Sequence, residues 1–184
     1  MELGRNSVEP FEGTGMKYML RASPLLWRAM HDDLSRPHPH AHERVAFAFA
    51  NAATLGGDRL GLYLSHYRPV PDENYIYEPH VGALINGDAL RDAMQFAYAN
   101  QLSVFHVHRH EHDGRPWFSE YDLRESNKFM PDFFHVASRG PHGALLLSHD
   151  SAVGIVWESK AAKPQLLNEI AALDRSLNVL RASK

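Results

Sequence analysis

The chain has 184 residues, a formal net charge of −3, 44% hydrophobic residues and no cysteine. That length predicts one domain with a substantial core, and the slight acidic excess excludes the basic footprint of a nucleic-acid binder. The missing thiols exclude disulfides, a cysteine nucleophile and a cysteine-ligated zinc. No apolar run approaches the length of a bilayer span, and the first residues lack the charged and apolar regions of a signal peptide. The expectation is a soluble cytoplasmic protein without nucleic-acid or membrane partners.

Residues 1–15 are polar and without periodicity, a loosely ordered lead-in. Met16 to Arg21 predicts a short strand. Ser23-Pro24 is an N-cap followed by proline at the first helical position, and Leu26, Trp27, Met30 and Leu34 continue at helical spacing to about Ser35. Arg36-Pro37-His38-Pro39-His40 breaks that helix. After Glu43, large Val45, Phe47 and Phe49 alternate with small Ala46, Ala48 and Ala50, which suits a strand buried on both faces. Gly56-Gly57-Asp58 predicts a turn, and Leu60 to Tyr67 an antiparallel second strand.

A proline- and tyrosine-bearing loop over 69–79 follows, then a helix from about Asp88 to Asn100 with Leu90, Ala93, Met94 and Ala97 on one face. A strand over about 102–108 comes next. Ser119 opens a helix that Pro131 kinks or ends. Ala144–Ser148 and Ala152–Glu158 read as a hairpin. Leu166, Ile170, Leu173, Leu177 and Leu180 then recur at four-three spacing, predicting a C-terminal amphipathic helix within 159–184. No internal repeat or long linker divides the chain.

Histidine is the unusual component, with 13 residues, several of them in two clusters, His38/His40/His42 and His106/His108/His110/His112. A His-rich tract alone is weak evidence of metal binding. On a strand, however, His106 and His108 point to one face, because side chains alternate with period two. Asp122, in the first turn of the Ser119 helix, comes to the mouth of the same site. Two neutral nitrogens and one carboxylate match the three-ligand set of a catalytic zinc, which keeps a fourth position for water. Ser119-x-x-Asp122 is equally a plain helix-capping arrangement.

In the order H-x-H-x(10)-S-x-x-D, with Glu43 upstream, these residues resemble the JAMM (JAB1/MPN) metalloprotease motif. The order of elements over roughly 16–158 is also similar to a JAMM domain. The resemblance implies an α/β fold with a mixed sheet flanked by helices, related to the cytidine deaminase-like architecture. It implies zinc held by His106, His108 and Asp122, with Glu43 as general base and Ser119 stabilising the oxyanion. Two features depart from the family pattern. Arg44-Val45-Ala46-Phe47 replaces the glycine-containing sequence that usually follows the glutamate, and the motif loop is longer than the common form. The pair His108/His110 gives a shorter loop and is the competing ligand set; Ser103-Val104-Phe105 before His106 favours the first pair.

The activity implied is hydrolysis of an amide or isopeptide bond after the C-terminal tail of a ubiquitin-like protein. Ubiquitin-like activating and conjugating enzymes are implied as further partners. A zinc peptidase or amidase of other small-peptide specificity and a non-catalytic MPN-type scaffold are the alternatives. An extended tail beside the metal would be held by main-chain hydrogen bonds to a strand edge, with Tyr75, Ile76 and Tyr77 of the 69–80 loop covering it.

Overall fold

In the computed structural model, which describes residues 15–172, β1 (Lys17–Ala22) leads into α1 (Pro24–Leu34). Ser23 sets the start of α1: its hydroxyl accepts from the Leu26 N–H, and Pro24 sits in the first turn, where a missing N–H costs nothing. β2 (Val45–Gly56) and β3 (Arg59–Pro69) form an antiparallel hairpin that turns on Gly56 and Gly57, both at positive φ. α2 (Gly87–Asn100), β4 (Ser103–Arg109), α3 (Glu120–Val136), β5 (His142–Leu147) and β6 (Ala152–Trp157) follow, then the short β7 (Gln165–Leu166) and β8 (Glu169–Ala172).

The eight strands make one mixed sheet in the order β7-β6-β5-β4-β2-β3-β1-β8. The long β2 lies near its centre, antiparallel to both β3 and β4, while β4 and β5 run parallel. The alternation along β2 sorts the two faces. Ala46, Ala48 and Ala50 turn toward α1, where Met30 and Leu34 pack with Leu20, Phe105 and Val107. Val45, Phe47 and Phe49 turn the other way, toward α2 and α3, and meet Ala93, Val104, Met130 and Phe133. Small residues allow α1 to approach the sheet closely; large ones fill the wider space under two helices. Among the described residues no helix is long and apolar enough to cross a membrane.

Three expectations are corrected here. The stripe over 159–184 is not a helix where it is described. Ile170 instead pairs with Leu20 in parallel register, and Leu167 and Ile170 join the core beside α1. Without β8, β1 would present an unpaired strand edge of backbone donors and acceptors. The sheet thus extends the domain beyond residue 158 to Ala172. Leu173, Leu177 and Leu180 lie outside the described residues, as does residues 1–14 of the lead-in. Second, α3 does not end at Pro131 but continues through it to Val136. Third, Tyr75 is a core residue. Its hydroxyl accepts from the Val45 N–H at 2.8 Å and donates to the Val45 carbonyl, so its removal would damage the fold and not a substrate contact alone. Ile76 and Tyr77 beside it are exposed.

His142 links β5 to β4 and makes the fold sensitive to acid. Its Nδ1 accepts from the Val104 N–H at 2.9 Å and its Nε2 donates to the Ala137 carbonyl at 2.7 Å, which fixes a neutral ring. Burial lowers its pKa to about 4 from an ordinary 6.5. The unfolded chain therefore binds a proton that the native ring refuses, and stability falls as pH drops through that window. The contribution is about 3 kcal/mol. Denaturant titrations of wild type and His142→Gln should show a stability gap that is constant above pH 7 and narrows toward pH 4. A gap independent of pH would exclude this origin.

Candidate metal centre and active site

The site lies at the end of β4 that faces α3. Val104, His106 and His108 alternate to the two-helix face of the sheet, and the row continues through His110 to His112. Successive rings along it stand 5.8, 5.3 and 5.9 Å apart, centroid to centroid. The row ends where His112 stacks on the exposed Trp117. Antiparallel pairing sets Val45 opposite His108 and Phe47 opposite His106. Continued one step, that register puts Glu43 opposite His110, and the two side chains meet at 3.7 Å.

From the other side, α3 brings Asp122 to 3.6 Å from His108 Nε2, too long for a hydrogen bond but within ion-pair range. Ser119 holds that carboxylate in place. Both its backbone N–H (2.8 Å) and its hydroxyl (2.7 Å) donate to Asp122 Oδ2, and the hydroxyl accepts in turn from the Asp122 N–H. The capping reading of this pair is thus realised, and the same bonds aim the other carboxylate oxygen at His108. As placed, Ser119 orients Asp122 and lies outside the cavity wall.

His108 is the central ring. It is buried, and among the described residues neither Nδ1 nor Nε2 has a hydrogen-bond partner. A neutral imidazole always carries one donor and one acceptor, so orphaning both costs about 1–3 kcal/mol per group unless a ligand fills the gap. Glu43, His108 and His110 each offer a ligand atom, all within 4.8 Å of one another. His106 stands apart from that group. Its ring lies one strand step away, between Phe47 and Phe129, at centroid separations of 5.6 and 5.4 Å. Of the expected residues, then, His108 and Glu43 come together, and Asp122 reaches His108 without joining that group. The competing histidine His110 converges with them more closely than His106 does.

The charges are tuned by this packing. Burial raises the Glu43 pKa, and the nearby Asp122 charge adds to the rise while His108 opposes it. Burial works against charge on Asp122 as well, but the His108 ring and the bonds from Ser119 outweigh it and hold its carboxyl well below the usual range. Burial lowers His106 to about 3 and also lowers His110, so both rings are neutral at pH 7 and have lone pairs free for ligation.

A cavity of about 270 Å³ opens from these side chains between α3 and the 82–85 loop. Sequence reasoning missed several of its residues. Tyr121, Ser126 and Phe129 line it; Ser126 is four residues from Asp122 and Phe129 three further on, a usable signal, because residues three and four apart share a helix face. Gly82 gave no such signal. Its carbonyl accepts from the N–H groups of both His42 and Glu43 at 2.9 Å, and a Cβ added there would lie 2.5 Å from Glu43 Oε2. Arg44 anchors the same turn. Its buried guanidinium donates to the Arg36 and Pro37 carbonyls and pairs with Asp72 at 2.7 Å. This is what the residue after the glutamate does in place of the family's glycine-containing sequence.

Gly82→Ala should therefore leave the fold intact while pushing the Glu43 carboxylate aside, since a flexible side chain gives way before the backbone does. Thermal melting together with the structure of the variant tests this. An unmoved Glu43 carboxylate would mean that its position is not set by Gly82.

No family model matches the chain, and no curated protein matches it. Among solved structures, it is similar to the Trichoplax adhaerens STIL N-terminal domain, at 10% identity and a TM-score of 0.31. The match covers 72% of this chain and 37% of that one, so the chain spans little more than a third of that structure. A likeness this loose carries no argument about fold family or function.

Proposed function

We propose that the protein is a zinc-dependent peptidase or isopeptidase of JAMM type, with His108, His110 and Asp122 as the metal-holding residues and Glu43 as general base. The observation that carries this reading is the buried His108 ring with two unpartnered nitrogens, set between Asp122 at 3.6 Å and the Glu43–His110 pair. Imidazole nitrogens and carboxylate oxygens are the donor set zinc takes at catalytic sites, so the residues fit the ion. A bound zinc would acidify a water and polarise the scissile carbonyl.

The remaining work falls to the chain itself. Glu43, its pKa raised by burial, accepts a proton from the attacking water and returns it to the leaving amine. Ser119 acts through Asp122, fixing its rotamer so that one oxygen faces His108. Apolar walls, Val45 and Phe129 among them, exclude bulk water and strengthen the charge interactions inside.

The substrate class carried by the motif resemblance is the C-terminal tail of a ubiquitin-like protein or its conjugates. A second reading, hydrolysis of peptides of another specificity, is favoured by one observation: the cavity beside the metal residues is wide and mostly apolar. Zinc-loaded protein incubated with a ubiquitin-like fusion and with short unrelated peptides, followed by mass spectrometry, tests both. Cleavage after the tail alone supports the first, and equal cleavage of both substrates supports the second. Tight binding to the fusion with no cleavage of anything would replace catalysis by a scaffold role.

A further inference from the structure

The cavity is lined by more than the residues of the metal site. Beyond Glu43, His108 and Asp122 it continues under α3 into a chamber walled by Val45, Ala83, Leu84, Ile85, Leu90 and Phe129. Its volume of about 270 Å³ lies near the lower end of small-ligand pockets. The charged side chains at its mouth are committed to each other: Lys128 pairs with Glu125 at 2.8 Å. Its lining also includes two further polar groups, the buried Ser126 and the ring of His106. Among the described residues no hydrogen bond engages the His106 ring, although Phe47 and Phe129 hold the ring in place. Apart from the Glu43 and Asp122 carboxylates of the metal site and the paired Glu125 and Lys128, the lining is mainly apolar, which suits an uncharged, mainly apolar side chain. A carboxylate or ammonium would enter without a partner and lose its hydration.

We infer that this chamber is a specificity subsite, and that it takes an aliphatic or aromatic side chain on the residue flanking the scissile amide. The inference rests on the hydrolase reading for the position of that amide, and the chamber's continuity with Glu43 and His108 puts the bound side chain next to it. His106 then serves as a substrate-recognition residue in the chamber lining, a role separate from metal ligation. A ligand with a hydroxyl at its tip, such as a tyrosine side chain, would gain a hydrogen bond there.

Binding can be read independently of hydrolysis. N-acetyl amides of glycine, leucine, phenylalanine, lysine and glutamate should be titrated into the full chain, with and without zinc, following histidine ring and methyl signals by NMR. The leucine and phenylalanine amides should bind roughly tenfold to a hundredfold tighter than the glycine amide. The lysine and glutamate amides should gain nothing over glycine. Ala83→Phe, on the loop side of the chamber, should abolish the preference while zinc content stays unchanged. Equal affinities across the five amides, or a preference that survives Ala83→Phe, would overturn the subsite. Apolar preference in a protein that hydrolyses nothing would leave the subsite standing and reject the hydrolase reading. Hydrolysis with no side-chain preference would do the reverse.

Discussion

Zinc at about one ion per chain, lost in His108→Ala and in His110→Ala but kept in His106→Ala, is the expected result of metal analysis on purified protein. His108 is central because it is buried, faces Asp122, and among the described residues has no other partner for either nitrogen. Its removal should weaken binding by well over the roughly 10–100-fold typical of residues that only support a ligand. Asp122→Ala should act in the same direction, and Ser119→Ala more weakly, since Ser119 touches the carboxylate and not the cavity. The three histidine variants together decide the ligand pair. If His106→Ala empties the site and His110→Ala does not, the ligands are His106 and His108, one strand step away. Stoichiometric zinc in all three variants would remove the centre altogether.

Glu43→Gln should keep both fold and metal and lose turnover by about 10²–10⁴-fold, the range for a positioned general base. The amide is nearly the same size and fits against Gly82 as the carboxylate does, but it cannot accept the water's proton. Zinc content measured beside the rate separates this outcome from loss of a ligand, which matters because Glu43 also lies within the convergent group with His108 and His110. If the variant is inactive because it no longer binds zinc, Glu43 is a ligand. If it turns over like wild type, another group is the base. Gly82→Ala is the companion variant, since it moves the same carboxylate without changing its chemistry.

Much of this protein was determined by local sequence. Capping residues and prolines act within a turn of where they stand, so Ser23-Pro24, Ser119-x-x-Asp122 and the Gly56-Gly57 turn could be placed without knowing the fold. The alternation of alanine with large residues over 45–50 likewise announced a strand covered on both faces, and α1 lies on one of them, with α2 and α3 on the other. Period-two alternation was enough to gather the histidines of β4 on a single face.

Only the tertiary structure decided what those elements meet. His106, His108 and His110 are equivalent in the strand's own geometry. They differ because β2 pairs with Val45 opposite His108, which brings Glu43 up to His110 and leaves His106 between two phenylalanines. Tyr75 looked like a surface contact, yet its hydroxyl found both backbone groups of Val45. The stripe through Leu166 and Ile170 had helical spacing, but the open edge of β1 offered strand pairing, and long-range hydrogen bonds outweighed local periodicity. Gly82 matters through a residue 39 positions away, a contact set by the packing of two loops. Interactions within a turn or along one strand are written in neighbouring residues; those between strands and loops depend on register, which no single segment contains.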